Sequence, residues 1–396
     1  MHTLQKIKIF RFLLYLTYLP SLLLVYPFAL LRAKNRSHLF FFFDRYGIGG
    51  AQRIHLDILH SLPDVHKQLY FTRLSKDKNL KEAFYGVPGT DARDIHTWCD
   101  NLLFRLFTVH YFAFYINRHP KAHVFSSNST FFFDMLPFLR KDVVKTELLH
   151  NFTHGKNGME FFGLGNVHYL QYRVVYDNFT FNNIHQQYAK YGVADAMKDR
   201  ILFIEPGVVI HTTEGKNYAP PLRVLYAGRG GPQKRIPLLN RVAEQCLDRN
   251  LPIEFHFAGT MMDELSEVVK SKSVIHGEVR EASEMNRLYQ NCNVILMTSA
   301  YEGFPMLIKE GMAWGCIPVV TALEGNKTHL HHGQNALLIN EPENEEGVVK
   351  QGIELLAYLA ADQERLRSLS ADAYQYAREH FDREAFMQRY RDFLMG

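Results

Sequence analysis

The stretch SAYEGFPMLIKEGMAWGCIPVVT, residues Ser299–Thr321, decides the fold of the second half of the chain. It begins at the end of the apolar run NVILMTS, typical of a buried strand, and closes on a second such run, IPVVT. Pro305 suits the first turn of a helix, because its φ is helical and its missing N–H has no helical partner there. Gly315 is a natural stop at the other end. The stretch therefore predicts strand, loop, helix and strand in succession, the repeating unit of a parallel α/β sheet.

Two glutamates bracket this turn, Glu302 in the loop and Glu310 in the helix. The backbone N–H groups near Phe304, Met306 and Leu307 point out of the helix start, where the positive end of the helix dipole also lies. This arrangement favours an anion such as phosphate. A carboxylate is repelled by phosphate, so Glu302 and Glu310 are better placed to accept hydrogen bonds from hydroxyl groups on either side. A ligand with hydroxyl groups on both sides of a diphosphate is a nucleotide sugar, and the pattern therefore indicates such a ligand.

Strands and helices alternate from Ser37 onward, which predicts parallel sheets with helices on both faces. One series precedes the proline-containing link GKNYAPP, Gly215–Pro221, and a second follows it. We expect two Rossmann-like doubly wound α/β domains that face a central cleft, where ligands bind at the carboxyl ends of the strands. The predicted strands are HLFFFFD, KQLYFT, AHVFSS, KTELLHNF and YRVVYDN in the first series, and LRVLYA, IEFHFAG, SVIHG, NVILMTS and IPVVT in the second.

The length of 396 residues and the hydrophobic fraction of 47% suffice for two ordinary domains. We expect residues 1–36 to form a hydrophobic membrane-associating segment, 37–215 the N-terminal domain and 216–376 the C-terminal domain. Residues 377–396 are expected to form a C-terminal helix, for which a return to the N-terminal domain is left open.

Charge is unevenly distributed along the chain. Residues 1–215 carry 25 Lys and Arg against 17 Asp and Glu, a net +8, whereas 216–396 carry 20 against 24, a net −4. A positive field on the first half favours an anionic membrane or anionic ligands, but its cations are too dispersed to indicate nucleic acid. The four cysteines show no spacing typical of a zinc site or a disulfide framework.

The N-terminus contains the uncharged run FLLYLTYLPSLLLVYPFALL, Phe12–Leu31, which reaches the roughly 20 residues needed to span a bilayer. No small-x-small cleavage site follows it, as a signal peptide would require. Basic residues flank both ends and so do not choose an orientation. A helix broken at Pro20 would dip into one leaflet and return. The alternative is a helix packed on the protein's own core, and the same two interpretations apply to the aromatic run Leu102–His119.

The residues around the two glutamates resemble a known family. Glu302-Gly303-Phe304-Pro305 through Glu310, followed by Gly-Met-Ala-x-Gly-x-Pro-Val-Val, is similar to the E-x7-E motif of the family 4 glycosyltransferases, retaining enzymes of the two-Rossmann GT-B fold. In that family the first glutamate lies by the donor sugar and diphosphate, and the second holds the ribose. The resemblance implies a donor-binding set of Glu302, Gly303, Phe304, Pro305, Met306, Leu307 and Glu310.

Three more stretches resemble the family in order, from about residue 38 to the end. YAGRGGPQKR implies that Arg229 and Lys234 face the donor diphosphate and stabilise the departing charge. YGIGGAQR implies that Gly49 and Gly50 pass close to donor phosphate or acceptor, and KTELLHNF places His150 near the reacting sugar. Each of these assignments has a plainer alternative. Arg229 and Lys234 could be solvated loop charges, Gly49 and Gly50 could form only a tight strand-to-helix turn, and His150 could be a structural histidine. The implied catalytic residues are Glu302, Arg229, Lys234 and His150.

The resemblance implies a retaining glycosyltransferase that moves a sugar from a nucleotide-sugar donor to a saccharide or glycolipid acceptor. The N-terminal domain would bind the acceptor and the C-terminal domain the donor. No Asp-x-Asp motif occurs in the sequence, and we expect neither a metal nor another cofactor. The leaving phosphate would help to deprotonate the acceptor, since no second carboxylate is poised as a nucleophile.

The apolar N-terminus and the basic first half favour a lipid-linked acceptor at the cytoplasmic face of the inner membrane. Bacterial cell-surface polysaccharide or lipopolysaccharide biosynthesis would use such an enzyme. Attachment could be peripheral, monotopic or single-span.

Several alternatives remain open. A GT-B nucleotide-sugar epimerase or phosphorylase would share the fold, and a non-catalytic membrane-bound GT-B scaffold would keep it without chemistry. A nicotinamide dehydrogenase is disfavoured because Gln52 replaces the third glycine of G-x-G-x-x-G.

Two stretches depart from the family pattern: Glu205-Pro206-Gly207 replaces an Asn-Gly turn, and Glu324-Gly325-Asn326 replaces a paired glycine. These departures bear on the fit of the donor sugar, and Lys309 has no inferred role.

Overall fold

The structure is a computed structural model that describes residues 2–32, 38–47, 49–153, 158–260 and 262–396. Contacts divide the chain into two compact units, Met1–Glu205 with Met387–Gly396, and Pro206–Phe386. The second unit begins at Pro206, which precedes the predicted domain boundary between residues 215 and 216. The predicted end of the membrane-associating segment, between residues 36 and 37, lies outside the described residues.

The first unit begins with two helices and continues as an alternating α/β unit. Its elements are α1 (His2–Leu24), α2 (Tyr26–Leu31), β1 (Leu39–Phe43), α3 (Gly50–His60), β2 (Lys67–Phe71), α4 (Lys81–Tyr85), β3 (Thr90–Asp94), α5 (His96–Asp100), α6 (Leu102–Asn117), β4 (His123–Ser127), α7 (Thr130–Met135), β5 (Val144–Leu148), α8 (Met159–Phe162), β6 (Tyr172–Val175), α9 (Asn178–Lys190) and β7 (Ile201–Phe203), with short 3-10 turns at Leu136–Phe138, Leu164–Tyr169 and Asp195–Met197.

The described strands of this unit form a seven-stranded sheet in the order β3-β2-β1-β4-β5-β6-β7, and their pairings are parallel. β1 lies inside the sheet and is buried along its whole length, as expected for a strand with helices on both faces. Phe40 and Phe42 on one of its faces join a core that includes Phe112 of α6. The order reverses between β1 and β4, so their carboxyl ends mark the point where doubly wound sheets bind ligands.

The N-terminal segment is helical, as predicted, but its break is elsewhere. α1 runs through Pro20 to Leu24, and the interruption comes at Val25. The prediction of a helix broken at Pro20 is therefore wrong, since a helix can lose one hydrogen bond to a proline and continue. α1 packs on α6, where His110 Nε2 lies 3.2 Å from Thr17 Oγ1 and 2.9 Å from Leu14 O.

The outer side of α1 is apolar and exposed. Its segment Gln5–Leu24 is long and apolar enough to cross a membrane. The mean hydropathy of this segment is 1.5, and 11% of it is buried. A signal sequence, or a core helix of a soluble protein, meets the same criterion of length and composition. The exposed residues of α1 and α2 include Phe12, Leu16, Leu19, Leu23, Phe28 and Leu31.

The second unit is also an alternating α/β unit. Its elements are β8 (Leu222–Gly228), α10 (Ile236–Asp248), β9 (Ile253–Gly259), α11 (Glu267–Lys272), β10 (Val274–Gly277), α12 (Ala282–Asn291), β11 (Val294–Met297), α13 (Met306–Met312), β12 (Ile317–Thr321), α14 (Glu324–Lys327), β13 (Leu337–Ile339), α15 (Glu345–Ala361), α16 (Gln363–His380) and the first turn of α17 (Arg383–Met395), with a 3-10 turn at Met262–Glu264.

The described strands of the second unit form a six-stranded parallel sheet in the order β10-β9-β8-β11-β12-β13. The order reverses between β8 and β11. Two parallel-sheet α/β units with an apolar N-terminal helix confirm the predicted fold class.

The last turns of α17 belong to the first unit. Tyr390 is fully buried, with its ring centroid 6.1 Å from that of Phe125. Arg391 donates to Asp64 Oδ1 at 2.7 Å. The final residues of the chain thus complete the core of the first unit.

Candidate active site

The carboxyl ends of β8 and β11 lie side by side in the second sheet, at the point where the strand order reverses. Arg229 directly follows the last residue of β8, and Glu302 lies in the loop after β11. In an open parallel sheet this edge is the usual ligand site. The structure therefore places Arg229 and Lys234 on the loop after β8 and Glu302 on the neighbouring loop after β11.

Lys234 and Glu302 form an ion pair across this edge. The distance from Lys234 Nζ to Glu302 Oε1 is 2.5 Å, and the two side chains are 14% and 11% exposed. Two charges withdrawn from water stabilise one another only where they are in direct contact. The pair therefore joins the loop after β8 to the loop after β11.

Gln233 is a residue of this site that the sequence did not reveal. Its Oε1 accepts from Arg229 Nη2 at 3.2 Å, and its Nε2 donates to Tyr301 O at 2.9 Å. Its backbone oxygen accepts from Ala300 N at 2.8 Å. Gln233 thus orients Arg229 and joins the same two loops a second time, and no sequence signal distinguishes it from other loop glutamines.

Arg235 binds the backbone of the loop after β11. Its guanidinium donates to the backbone oxygens of Thr298 at 2.7 Å, Ser299 at 3.0 Å and Pro342 at 2.7 Å. Its φ of 49° lies in the left-handed region, which a non-glycine residue adopts at a cost. These three hydrogen bonds offset that cost and fix the start of α10.

Tyr226, near the end of β8, contacts the backbone of Arg229. Its hydroxyl donates to Arg229 O at 3.0 Å. Burial, reinforced by the negative charges of Glu302 and Glu264, raises the pKa of Tyr226. The hydroxyl therefore remains a hydrogen-bond donor that supports the backbone of Arg229.

The helix between β11 and β12 carries Glu310, as predicted. α13 begins at Met306, with Pro305 as its N-cap, and it ends at Met312. Its first helical hydrogen bond runs from Ile308 N to Pro305 O, so the preceding amides of Met306 and Leu307 lie at the helix start. Gly315, with a φ of 70°, follows in the left-handed region.

Glu310 is half-buried in the second unit. Tyr289 of α12 donates its hydroxyl to Glu310 Oε2 at 2.7 Å. This hydrogen bond orients the carboxylate, and Tyr289 is a second residue that sequence analysis did not single out.

Lys309 has a structural role. It is 1% exposed, and its Nζ donates to Pro206 O at 3.0 Å. The ammonium lies 5.4 Å from the ring centroid of Phe304 and 4.8 Å from that of Phe381. These contacts place the Phe304 side chain in the core, so any contact of Phe304 with a ligand would be through its backbone.

The loop that carries Glu302 packs backbone to backbone on α14. A Cβ atom at Gly325 would lie 1.6 Å from Gly303 O and 2.8 Å from Glu302 O. Only glycine permits this approach. Gly325, one of the departures from the family pattern, thus fixes the position of the Glu302 loop.

His150 of the first unit follows β5 and is 3% exposed. Its Nε2 lies 2.8 Å from His55 Nε2, and its Nδ1 lies 3.3 Å from the hydroxyl of Tyr176. Burial lowers the pKa of His150 to about 4 and that of His55 well below its usual value. Both ring nitrogens of His150 are therefore engaged by protein groups, and its contact with a sugar stays a prediction.

The glycine loop of the first unit leads into α3. Gly49 is the N-cap and Gly50 the first residue of that helix, and Arg53 N donates to Gly49 O at 3.2 Å. Ile48 lies outside the described residues. His55, the partner of His150, stands on the same helix, so the glycine loop and His150 are linked within the first unit.

Residues 221–358 match the family model described as "Glycosyl transferases group 1". This segment contains Arg229, Lys234, Gln233, Glu302 and Glu310. The family model thus covers the whole cluster at the carboxyl edge of the second sheet.

Two curated relatives match parts of the chain. The GtfA subunit of the UDP-N-acetylglucosamine–peptide N-acetylglucosaminyltransferase of Streptococcus pneumoniae is 23% identical over 207 residues, 51% of this chain and 40% of the relative. An uncharacterized glycosyltransferase of Methanocaldococcus jannaschii is 29% identical over 131 residues, 32% of this chain and 33% of the relative. The matched region of this chain therefore spans less than half of the length of each relative.

Solved structures match nearly the whole chain. Anabaena Alr3699/HepE, solved with UDP, has a TM-score of 0.70 at 14% identity, covering 90% of this chain and 99% of that one. A Rickettsia africae glycosyltransferase has a TM-score of 0.70 at 15% identity, with 91% and 99% coverage. The lipopolysaccharide outer core galactosyltransferase WaaB has a TM-score of 0.66 at 16% identity, with 90% and 99% coverage. The chain thus has the GT-B fold of glycosyltransferases.

Replacing Gly325 with Ala should destabilise the second unit by about 1–3 kcal/mol, a typical cost of overpacking. The new methyl group would collide with the Gly303 backbone, which cannot move without moving Glu302. Urea unfolding of the full chain, followed by hydrogen exchange of the β11 and β12 amides, measures this change. Gly352→Ala is the control, because there the Cβ would meet Val242 at 3.2 Å and needs only a small adjustment. Equal stability of wild type and Gly325→Ala would contradict the close backbone packing.

The first unit should lose stability as pH falls from about 6.5 to about 4. The folded pKa of His150 lies below its unfolded value, so within this window the unfolded chain binds more protons and acid favours it. We expect His150→Gln to reduce the pH slope of the unfolding free energy by up to about 1.4 kcal/mol per pH unit. Hydrogen exchange of the β5 amides at several pH values measures the slope. The exposed His66→Gln is the control, and an unchanged slope in His150→Gln would show that His150 is solvated.

Proposed function

We propose that the chain is a retaining glycosyltransferase that moves a sugar from a nucleotide-sugar donor to a saccharide or glycolipid acceptor. The observation that carries this proposal is the cluster of Arg229, Lys234 and Glu302 at the carboxyl edge of the second sheet, inside the segment that matches the glycosyl transferases group 1 model. Two cations beside one carboxylate suit a ligand with a charged diphosphate and a neutral, hydroxyl-rich sugar.

The roles within the cluster follow from charge. Arg229, oriented by Gln233, and Lys234 would bind the diphosphate and stabilise the charge that develops as it leaves. Glu302 would accept hydrogen bonds from the donor sugar, and Glu310, oriented by Tyr289, would accept them from the ribose. The base is proposed to be uracil, because UDP accompanies related structures such as HepE.

Two cations at the diphosphate also support a mechanism without a metal. Arg229 and Lys234 would supply the positive charge that a divalent cation brings to other transferases. The bond between the anomeric carbon and the phosphate oxygen breaks as the acceptor oxygen bonds to the same face of that carbon. The acceptor proton passes to the leaving phosphate, and a nucleoside diphosphate is released.

The acceptor is proposed to be lipid-linked, and the site of action the cytoplasmic face of the inner membrane. The exposed apolar side of α1 and the net +8 charge of residues 1–215 support attachment to an anionic membrane surface. Lipopolysaccharide or other cell-surface polysaccharide biosynthesis is the pathway class that such an acceptor serves, and WaaB is a structural neighbour with that role.

Donor binding provides the direct test. Calorimetric titration with UDP, GDP, ADP and their common nucleotide sugars should show selective binding of uridine compounds. Glu310→Ala should weaken this binding about 10- to 100-fold, the loss expected for a hydrogen bond to a charged group. Glu346→Ala removes a carboxylate from the same unit, 80% exposed and paired with Arg241, and should leave binding unchanged. Absence of binding by every nucleotide would refute the donor site.

Turnover provides the second test. With the donor selected by titration and a panel of octyl glycosides as acceptors, the product should keep the anomeric configuration of the donor, as read from its proton NMR coupling constant. Lys234→Met should lower kcat about 100- to 1,000-fold, because transition-state charge loses a positioned cation. The initial rate should be unchanged by EDTA. An inverted product, or a rate abolished by EDTA, would overturn the proposed mechanism.

A further inference from the structure

The first unit contains a cavity of about 690 Å³ that the proposed sugar transfer does not use. Its wall is formed by α2, by the end of β3 and by α5 and α6. A volume of this size is typical of ligand pockets. Most of the wall is aromatic or aliphatic, including Val25, Phe28, Trp98, Phe104, Phe107 and Phe112.

Arg32 lies on the sheet side of this cavity. It donates to Gln68 Oε1 at 3.1 Å and to Tyr70 OH at 2.8 Å, and its guanidinium carbon is 4.1 Å from the ring centroid of Tyr115. These partners are all neutral, and no carboxylate in the described part of the chain pairs with Arg32. A half-buried cation without an opposite charge favours an anionic ligand.

The other charged groups in the cavity wall already have partners. Arg93 pairs with Asp91 Oδ2 at 3.0 Å. Asp94 accepts from the Tyr46 hydroxyl at 3.2 Å and lies 2.5 Å from His96 Nδ1. Arg32 is therefore the cation in this wall that is left for a ligand.

The solvent side of the cavity has exposed apolar residues around it, which we call the apolar collar. The collar consists of Phe28 (64% exposed), Leu31 (82%), Trp98 (56%), Leu103 (70%) and Phe104 (53%). α2 and α5 both pack on α6, and the rings of Trp98 and Phe104 are 5.5 Å apart. An exposed apolar surface of this kind, with a tryptophan, is typical of contact with a bilayer interface.

We propose that this cavity binds one anionic phospholipid of the bilayer on which the apolar collar rests. The headgroup phosphate contacts Arg32, and the acyl chains remain among the collar residues. A cation that meets a phosphate away from bulk water forms a charge-assisted hydrogen bond, and basic pockets between helices recognise headgroups in this way. The site rests on the membrane attachment proposed above but is independent of sugar transfer.

The test compares vesicle binding by the full-length protein. The protein is sedimented with phosphatidylcholine vesicles that either contain or lack phosphatidylglycerol, at two salt concentrations, and the bound fraction is measured. Arg32→Gln should weaken binding to the anionic vesicles tenfold or more, and this difference should persist at high salt because the contact is withdrawn from water. Arg93→Gln removes the same charge from the same wall and should cost at most about fivefold, the contribution of a single surface cation. Native mass spectrometry should show one phosphatidylglycerol on the wild type and none on Arg32→Gln.

A second pair of variants separates this site from membrane attachment and from misfolding. Leu19→Glu with Leu23→Glu should reduce binding to both kinds of vesicle, and unchanged binding would refute attachment through α1. Thr108→Trp fills the cavity and keeps the hydrogen bonds of Arg32, so it should lose the phosphatidylglycerol adduct even if Arg32→Gln fails to fold. If Arg32→Gln and Arg93→Gln weaken vesicle binding equally, binding reflects only the general attraction between cations and an anionic membrane, and the proposed site is overturned. Displacement of the lipid by a lipid-linked saccharide would assign the cavity to the acceptor and also overturn the proposal.

Discussion

The ion pair between Lys234 and Glu302 is the interaction on which the candidate site depends. It joins two loops that a parallel sheet brings together at one edge but does not itself connect. Both side chains are largely withdrawn from water, so removing one of them would leave the other charge partly buried and without its counter-ion. Gln233 and Arg235 hold the same loops through backbone oxygens. The cations are thus in place before a ligand arrives, and charge that is already positioned needs no reorganisation during a reaction.

The residues of this site differ in how far the sequence predicts them. Arg229, Lys234, Glu302 and Glu310 each stand at a fixed distance from a strand end or helix start, so the local sequence pattern predicts the loop or helix on which each lies. Gln233 and Arg235 act through partners 63 to 107 residues away, and their importance arises only when the sheet is assembled. Gly325 is similar, because its contact with Gly303 depends on how two loops pack.

The fold was predictable wherever strands are covered on both faces. Buried strands such as β1 and β11 must be apolar at every position, and they stand out as unbroken runs. β3, β7 and β13 were missed. All three are edge strands: β3 and β7 in the first sheet, and β13 in the second. β3 is polar and half-exposed, and β7 and β13 are only three residues long, so none of them forms a long apolar run. The break at Val25 was also unpredictable, since proline alone does not decide where a helix ends.

Lys309 shows how α13, the helix that carries Glu310, is held by both ends of its own unit. Its ammonium binds Pro206 O, at the first residue of the second unit, and lies over the ring of Phe381, just before α17. Val208 N donates to Phe381 O at 2.7 Å, and Arg383 N donates to Val208 O at 3.1 Å, so these two segments also bind each other. A buried ammonium keeps its charge only where oxygens and aromatic faces replace water. The position of α13, and with it Glu310, is therefore fixed to the segments where the chain enters and leaves the second unit.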